Sequence, residues 1–228
     1  MTRNHLKRLA APKTWAIPRK GKVFITRPKA GPHAMDDSLP LSVLLREVTR
    51  HANTLKEVKF ILNNGTVLID GKRCKEPKFP VGYFDVLCMK ESKEHFRVAF
   101  DENGKVTAFS ISEKEAELKP CKIIAKTAVS GGKVQLNLYD GKNLISNDEK
   151  YKVGDTLVVN FKNEVLDHLP LKKGMLVYFT SGKHMATLGT IEEVEGKTVV
   201  FSRDGQSYRT SKDYAFVVGK DKPIIKLQ

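Results

Sequence analysis

The sequence predicts an α+β, multi-module chain. It has an extended basic N-terminal arm over residues 1–37, a compact helix–helix–strand module over 38–91, a central antiparallel β module over 92–171 and a second small β module over 172–228. Three observations predict this. Residues 1–35 hold nine Lys or Arg and no Asp or Glu, in a stretch broken by Pro12, Pro18, Pro28 and Pro32 together with Gly21 and Gly31; prolines at that density exclude a long helix. Apolar residues between 41 and 62 recur at i, i+3, i+4 and i+7, the signature of buried helical stripes. Beyond residue 95 the period becomes two, punctuated by turn pairs such as Asn103-Gly104, Asp140-Gly141 and Asp204-Gly205.

The 228 residues carry a net charge of +14, with 40% hydrophobic and 29% charged residues, ordinary globular values. No uncharged apolar run approaches the roughly 18 residues of a spanning helix, and no short apolar stretch follows the basic N-terminus, so neither a membrane span nor a secretory signal is expected. Cys74, Cys88 and Cys121 are odd in number and lack paired C-x-x-C spacing; they are expected to be reduced core thiols in the cytoplasm. Residues 36–90 hold nine cations against seven acids, 91–171 twelve against thirteen, and 172–228 ten against six, so most of the excess lies in the arm. An acid-free basic block is an electrostatic footprint for a polyanion, or else a solvated tail. Leu6, Leu9 and the single Trp15 interleave with the cations, which a solvated tail does not need. An amphipathic membrane helix is broken by the prolines, so nucleic acid is the expected partner. The candidate contacts in the arm are Arg3, His5, Lys7, Arg8, Lys13, Trp15, Arg19, Lys20, Lys22, Arg27, Lys29 and His33. Trp15 is suited either to stacking on a base or to packing on the body of the protein. The arm is expected to be poorly ordered alone and to fold onto its partner.

In the second module, Leu41, Leu44, Leu45 and Val48 predict one helix, and Leu55, Val58, Ile61 and Leu62 form the inner face of another. Thr54 and Glu57 have the spacing of a capping box, and Asn64-Gly65 suits a left-handed C-terminal cap. Lys56, Lys59 and Asn63 share the outer face. Val67 and Ile69 then alternate inward before Asp70-Gly71 turns a hairpin. In the central module Phe96, Val98 and Phe100, followed by Val106 and Phe109, predict a hairpin around Asp101–Gly104; further strands are signalled at 123–125, 134–138, 144–145 and 156–159. The final module has strand residues Val199, Phe201, Tyr208, Phe216 and Val218.

Catalytic chemistry is absent from the sequence. There is no phosphate-binding G-x-x-x-x-G-K-[ST] loop, no G-x-G-x-x-G, no H-E-x-x-H and no G-x-S-x-G. His5, His33, His51, His95, His168 and His184 are never three or four apart, so no local metal motif is present. No catalytic residue, cofactor, metal or small-molecule substrate is therefore expected.

Gly65-Thr66-Val67-Leu68-Ile69-Asp70-Gly71, followed by Pro77, Val81, Asp85 and Val86, resembles the tail of the S-four-type RNA-binding domain, the alpha-L motif. The resemblance implies that the outer face of the second helix and the loop after it lie against RNA phosphates. It assigns contacts to Lys56, Lys59, Asn63 and Asn64, with Arg46, Arg50 and His51 nearby. Where that family often begins the second helix with Ser-Arg, this chain has Thr54-Leu55. From Lys173, Gly174-x-x-Val177-x-Phe179-x-x-Gly182 to Gly189-x-Ile191 looks like a KOW motif in an SH3-like barrel, with Met185-Ala186 where the motif usually has Lys-Gly. The candidates it suggests are Lys183, His184, Arg203, Arg209 and Lys212.

The whole order of modules, with His5–Pro12, Trp15, Gly31-Pro32-His33, Leu39-Pro40-Leu41 and Val217-Val218-Gly219-Lys220, resembles the eukaryotic-type family of small-subunit ribosomal protein four in its shorter archaeal form. That resemblance implies a structural constituent of the small ribosomal subunit, bound to small-subunit rRNA and neighbouring ribosomal proteins, with no catalysis and no homo-oligomer. Without it, a KOW-type transcription or elongation regulator, or another non-catalytic RNA-binding protein, fits the basic footprint equally.

Overall fold

The structure, a computed structural model, describes residues 4–147 and 150–227. The chain forms two compact units, one ending at Glu117 and one spanning Leu118–Leu227.

In the first unit the arm supplies a two-stranded ribbon, β1 (Leu6–Lys7) against β2 (Phe24–Ile25), and a 3-10 turn at Arg8–Ala10. The arm is not a free tail. Trp15 is 1% exposed, its ring N–H donates to Met35 O at 3.2 Å, and the backbone beside it bonds to Val106, whose N–H meets Thr14 O at 2.7 Å. Arg8 is 3% exposed; its guanidinium donates to Pro18 O at 2.8 Å and to Glu47 Oε1 at 2.7 Å. Burial of Trp15 and the contacts of Arg8 offset part of the cost of ordering this extended segment. His33 is buried against Asp85, 2.9 Å away, and lies flat over Gly82, where an added Cβ would come within 2.4 Å of the imidazole. No side chain other than hydrogen fits there.

β3 (Ser38–Pro40) pairs with β6 (Pro80–Gly82). The first predicted helix begins as α1 (Leu41–Val43) and widens into a π-turn over Leu44–Val48, where Thr49 N–H bonds to Leu44 O. Leu41, Leu44 and Leu45 are fully buried and Val48 only partly, because the widened turn rotates the fourth position off the core. α2 (Leu55–Asn64) is capped as its sequence requires: Thr54 Oγ1 accepts from Glu57 N–H at 3.3 Å, and the Glu57 carboxylate accepts from Asn53 N–H at 2.7 Å. Val58 and Leu62 form its buried stripe; Leu55 is exposed. Gly65 ends the helix in extended rather than left-handed geometry, with its N–H on Ile61 O at 2.8 Å.

A five-stranded antiparallel sheet follows in the order β5-β4-β7-β8-β9, formed by β4 (Val67–Ile69), β5 (Lys72–Arg73), β7 (Val86–Met89), β8 (Glu94–Phe100) and β9 (Val106–Ser110). Asp70 and Gly71, with φ of 48° and 77°, make the tight turn between β4 and β5. The hairpin 94–110 therefore belongs with the strands before it, and the boundary expected at 91/92 lies at 117/118. Residues 90–93 are a hairpin turn with Lys93 at φ 54°. The short α3 (Glu113–Ala116) closes the unit, with Arg97 donating to Glu115 Oε1 at 2.7 Å.

The second unit contains two five-stranded antiparallel sheets. One has the order β12-β11-β10-β13-β14, from β10 (Lys119–Val129), β11 (Lys133–Leu138), β12 (Asn143–Ser146), β13 (Thr156–Val159) and β14 (Val165–Leu169). The other runs β18-β17-β16-β15-β19, from β15 (Leu176–Phe179), β16 (Leu188–Glu195), β17 (Thr198–Arg203), β18 (Gln206–Ser211) and β19 (Ala215–Gly219). The two expected β modules share one core here, since Val158 and Leu169 pack with Val177, Phe179, Phe201 and Val217. A polar tie reinforces it. Lys122 on β10 sends its ammonium to the carbonyls of Lys212, Asp213 and Ala215 at 3.0, 2.8 and 2.7 Å. Burial pushes its pKa down to about 8, and the three carbonyls suit the ammonium it carries at neutral pH. Cys88 and Cys121 are buried and Cys74 half-buried, none of them in a disulfide; burial pushes Cys88 up to about 11.

Ala186 stands in the left-handed region at φ 64° with its N–H bonded to Phe179 O at 2.8 Å. A Cβ there costs about 1–2 kcal/mol. Ala186→Gly should stabilise the chain by about 1 kcal/mol after the loss of backbone entropy, read as a rise of about 3 °C in thermal unfolding. Lys122→Met should destabilise it by about 2–3 kcal/mol, since three carbonyls lose a charged donor. Between pH 8 and 10.5 the folded state holds Lys122 neutral while the unfolded state keeps it protonated, so wild-type stability relative to Lys122→Met should rise across that window in denaturant melts.

Candidate nucleic-acid interface

α2 is the most regular surface on which the structure gathers sequence-predicted contacts. Its register places Lys56, Lys59, Phe60 and Asn63 within an arc of about 100°, at the 3.6-residue period of a helix. All four are exposed, as is Asn64. The single carboxylate in the helix, Glu57, is folded back on the cap, where the Asn53 N–H and then the Thr54 hydroxyl hold its pKa below the ordinary range. The outward arc therefore carries two ammonium groups and no acid. At the C-terminal end Arg73 of β5 donates to Asn63 O at 3.3 Å and Gly65 O at 3.2 Å, meeting carbonyls that the helix leaves open. Glu91 stands beside it, accepting from Thr66 N–H at 2.6 Å.

The other candidates divide by what their charge meets. Lys7, Lys13, Lys20 and Lys22 are exposed along the arm, and His5 is exposed with its ring centroid 5.8 Å from that of Phe24. Arg27 is half-buried. Lys29 is exposed and ion-paired with Glu76, a surface pair that holds it weakly. Arg3 lies outside the described residues.

Arg8, Trp15, Arg19 and His33 are engaged within the protein itself. Arg8, Trp15 and His33 are buried, and the Arg19 guanidinium is spent on the carbonyls of Arg8, Ala11 and Pro12 at 3.1, 2.8 and 2.6 Å. His51 is held at both ring nitrogens, 2.8 Å from Thr49 Oγ1 and 2.8 Å from Glu94 Oε2. Arg46 is half-buried beside Asn53 O and Glu47, whereas Arg50 is exposed at φ 57°.

In the second unit His184 is held against Phe201 and Tyr208, with ring centroids 5.2 and 4.7 Å away, which draws its loop onto β17 and β18. Lys183 is exposed. Arg203 lies 3.2 Å from Asp204 and Arg209 3.0 Å from Glu195, both at the surface. Lys212 is half-buried, its stem covering Gly154.

Two residues of the α2 surface were absent from the sequence-derived set. Phe60 is 68% exposed, and its spacing from Lys56 and Lys59 already puts it on the outer face. Arg73 has no comparable signal, because its reach to the helix end arises from the hairpin register that sets it opposite Leu68. Among the described residues no group of three or more His, Cys, Asp and Glu could hold a metal ion, and no helix is long and apolar enough to cross a membrane.

Comparison with known proteins agrees along the length of the chain. The profile of ribosomal family S4e matches residues 92–165, and that of the RS4NT domain matches residues 2–36. The chain is 40% identical over 240 residues to the small ribosomal subunit protein eS4 of Methanococcus maripaludis strain C5, covering 99% of this chain and 98% of that one. It is 40% identical over the same length, with the same shares covered, to the protein of that name from Methanocaldococcus jannaschii. The crystal structure of the 30S ribosomal protein S4e from Thermoplasma acidophilum superposes with a TM-score of 0.74 at 30% identity, over 83% of this chain and 100% of that one. With a mixed fold dominated by strands and two-fifths of its residues shared with the two eS4 proteins nearly from end to end, the chain belongs to ribosomal family S4e.

Proposed function

We propose that this protein is a non-catalytic structural constituent of the small ribosomal subunit in the cytoplasm, where a single copy binds small-subunit rRNA and abuts neighbouring ribosomal proteins. The observation that carries the RNA contact is the acid-free outer arc of α2, to which the exposed lysines of the arm add further positive charge. We read residues 38–91, extended by the hairpin to 110, as an S-four-type RNA-binding fold, and residues 172–228 as a KOW-type SH3-like barrel. The β10–β14 sheet then serves as the scaffold beside that barrel.

Lys56 and Lys59, with Lys7, Lys13, Lys20 and Lys22, neutralise phosphates and release condensed counterions. RNA helices hide their major-groove edges, so orientation comes from phosphate contact and fit to a folded surface. The buried residues of the arm contribute by holding these lysines in fixed positions rather than by touching RNA.

Because Trp15 and Arg8 belong to the interior, deleting the arm would disturb the fold and confuse the result. Charge replacement at exposed positions isolates binding. Lys56→Glu with Lys59→Glu should leave the melting temperature unchanged, weaken binding to small-subunit rRNA, and flatten the log-affinity against log-salt slope by about 1.4–1.8, the value for two lost phosphate contacts. Replacing Lys7, Lys13, Lys20 and Lys22 with Gln should flatten it further. An unaltered slope in both variants would remove RNA binding from these surfaces, and failure of the tagged protein to co-sediment with small subunits in high salt would remove the ribosomal assignment.

A further inference from the structure

We propose that Phe60 is a stacking platform for an unpaired nucleobase, so that α2 takes a bulged or looped nucleotide and not only the backbone of a duplex. The inference rests on the reading that this face binds RNA, and it adds the class of nucleotide recognised.

Phe60 contributes little to the fold. The buried stripe of α2 is Val58 and Leu62, on the opposite side, and the Phe60 ring projects to solvent at 68% exposure. An aromatic ring of that size left in water is an unused apolar surface. Its surroundings define what covers it. Lys56 lies one turn before and Asn63 and Asn64 one turn after, while Lys59 stands at the far edge of the same arc, so the ring sits beside one ammonium group and two amides with a second ammonium further round the face. The Glu57 carboxylate is directed to Asn53 N–H and the Thr54 hydroxyl. The cores of protein interfaces are depleted in lysine, whereas a ring at the edge of a cationic face matches a polymer whose charged backbone alternates with flat apolar faces. Paired A-form RNA offers this helix phosphates and 2′-hydroxyls, which give the ring no partner; an unstacked base offers its π-face. In this arrangement Phe60 takes the base, Lys56 and Lys59 take phosphates, and the Asn63 amide can both donate to and accept from a base edge. The platform is preorganised. The Thr54 cap fixes one end of α2 and Arg73 the other, so little ordering remains to oppose binding.

Full-length protein carrying Phe60→Ala, Phe60→Leu or Phe60→Trp would be titrated against transcribed small-subunit rRNA at several salt concentrations. Phe60→Ala should lose about tenfold in affinity with the salt slope unchanged, because stacking neutralises no phosphate. Phe60→Trp should bind as tightly as wild type, and Phe60→Leu as weakly as Phe60→Ala. Ultraviolet cross-linking should join Phe60 of the wild type to one unpaired nucleotide. Wild-type affinity in Phe60→Ala, or in Phe60→Leu, would overturn the proposal. So would an unchanged affinity for naked rRNA accompanied by lost retention in assembled subunits, since Phe60 would then face a protein. If Lys56→Glu with Lys59→Glu weakens binding while Phe60→Ala does not, the stacking role falls alone; if neither has an effect, the RNA-binding reading of this face falls with it.

Discussion

Trp15 sits at 1% exposure among the residues of the first unit, and a ring of that size removed from water fixes the chain on both sides of it. Truncating such a group in a core costs about 3–5 kcal/mol. Around it the arm closes its polar accounts locally: the indole N–H on Met35 O, Thr14 O on Val106 N–H, the Thr14 hydroxyl on Asp36 O. Arg8 is more demanding. Its guanidinium is buried with one carboxylate, Glu47, and one carbonyl, Pro18 O, as partners, so loss of Glu47 would strand a charge away from water. The arm is therefore held by a hydrophobic anchor and by ionic and carbonyl contacts that have meaning only while the anchor is seated.

This divides the cations of the arm into two kinds. Arg8 and Arg19 turn their guanidinium groups onto the carbonyls of residues 8, 11, 12 and 18, which lie outside the short β1–β2 ladder. The planar five-donor fork of arginine suits that task better than an ammonium. The lysines at 7, 13, 20 and 22 point outward, where a hydrated point charge on a flexible stem can follow an irregular line of phosphates. Total charge sets the long-range attraction, and the split decides which groups make contact.

The parts of this architecture governed by local spacing were legible in the sequence. Thr54 and Glu57 announce the start of α2, Val58 and Leu62 its buried side, and Asp70-Gly71 the turn of the following hairpin. What the sequence concealed is non-local. Counting charges cannot separate an arginine that meets carbonyls inside from a lysine in water, so Arg8, Arg19 and His33 were grouped with the exposed cations. The module boundary expected at 91/92 falls inside a hairpin turn that carries the sheet on through β8 and β9. Phe60 lies on the outer face by helical arithmetic, yet it carries no charge and so adds nothing to an electrostatic footprint. The widening at Leu44–Val48 has no residue signature; it follows from how the 41–48 segment packs.

The ammonium of Lys122, reaching from the first sheet of the second unit to the carbonyls of residues 212, 213 and 215, joins stretches of chain about 90 residues apart. Val158 and Leu169 cross the same divide through the shared core. Those two sheets should therefore melt in a single cooperative step. For a growing ribonucleoprotein the consequence is economy of search: this half of the polypeptide arrives as one finished block with its loops already posed, so docking spends little of its driving force on arranging strands.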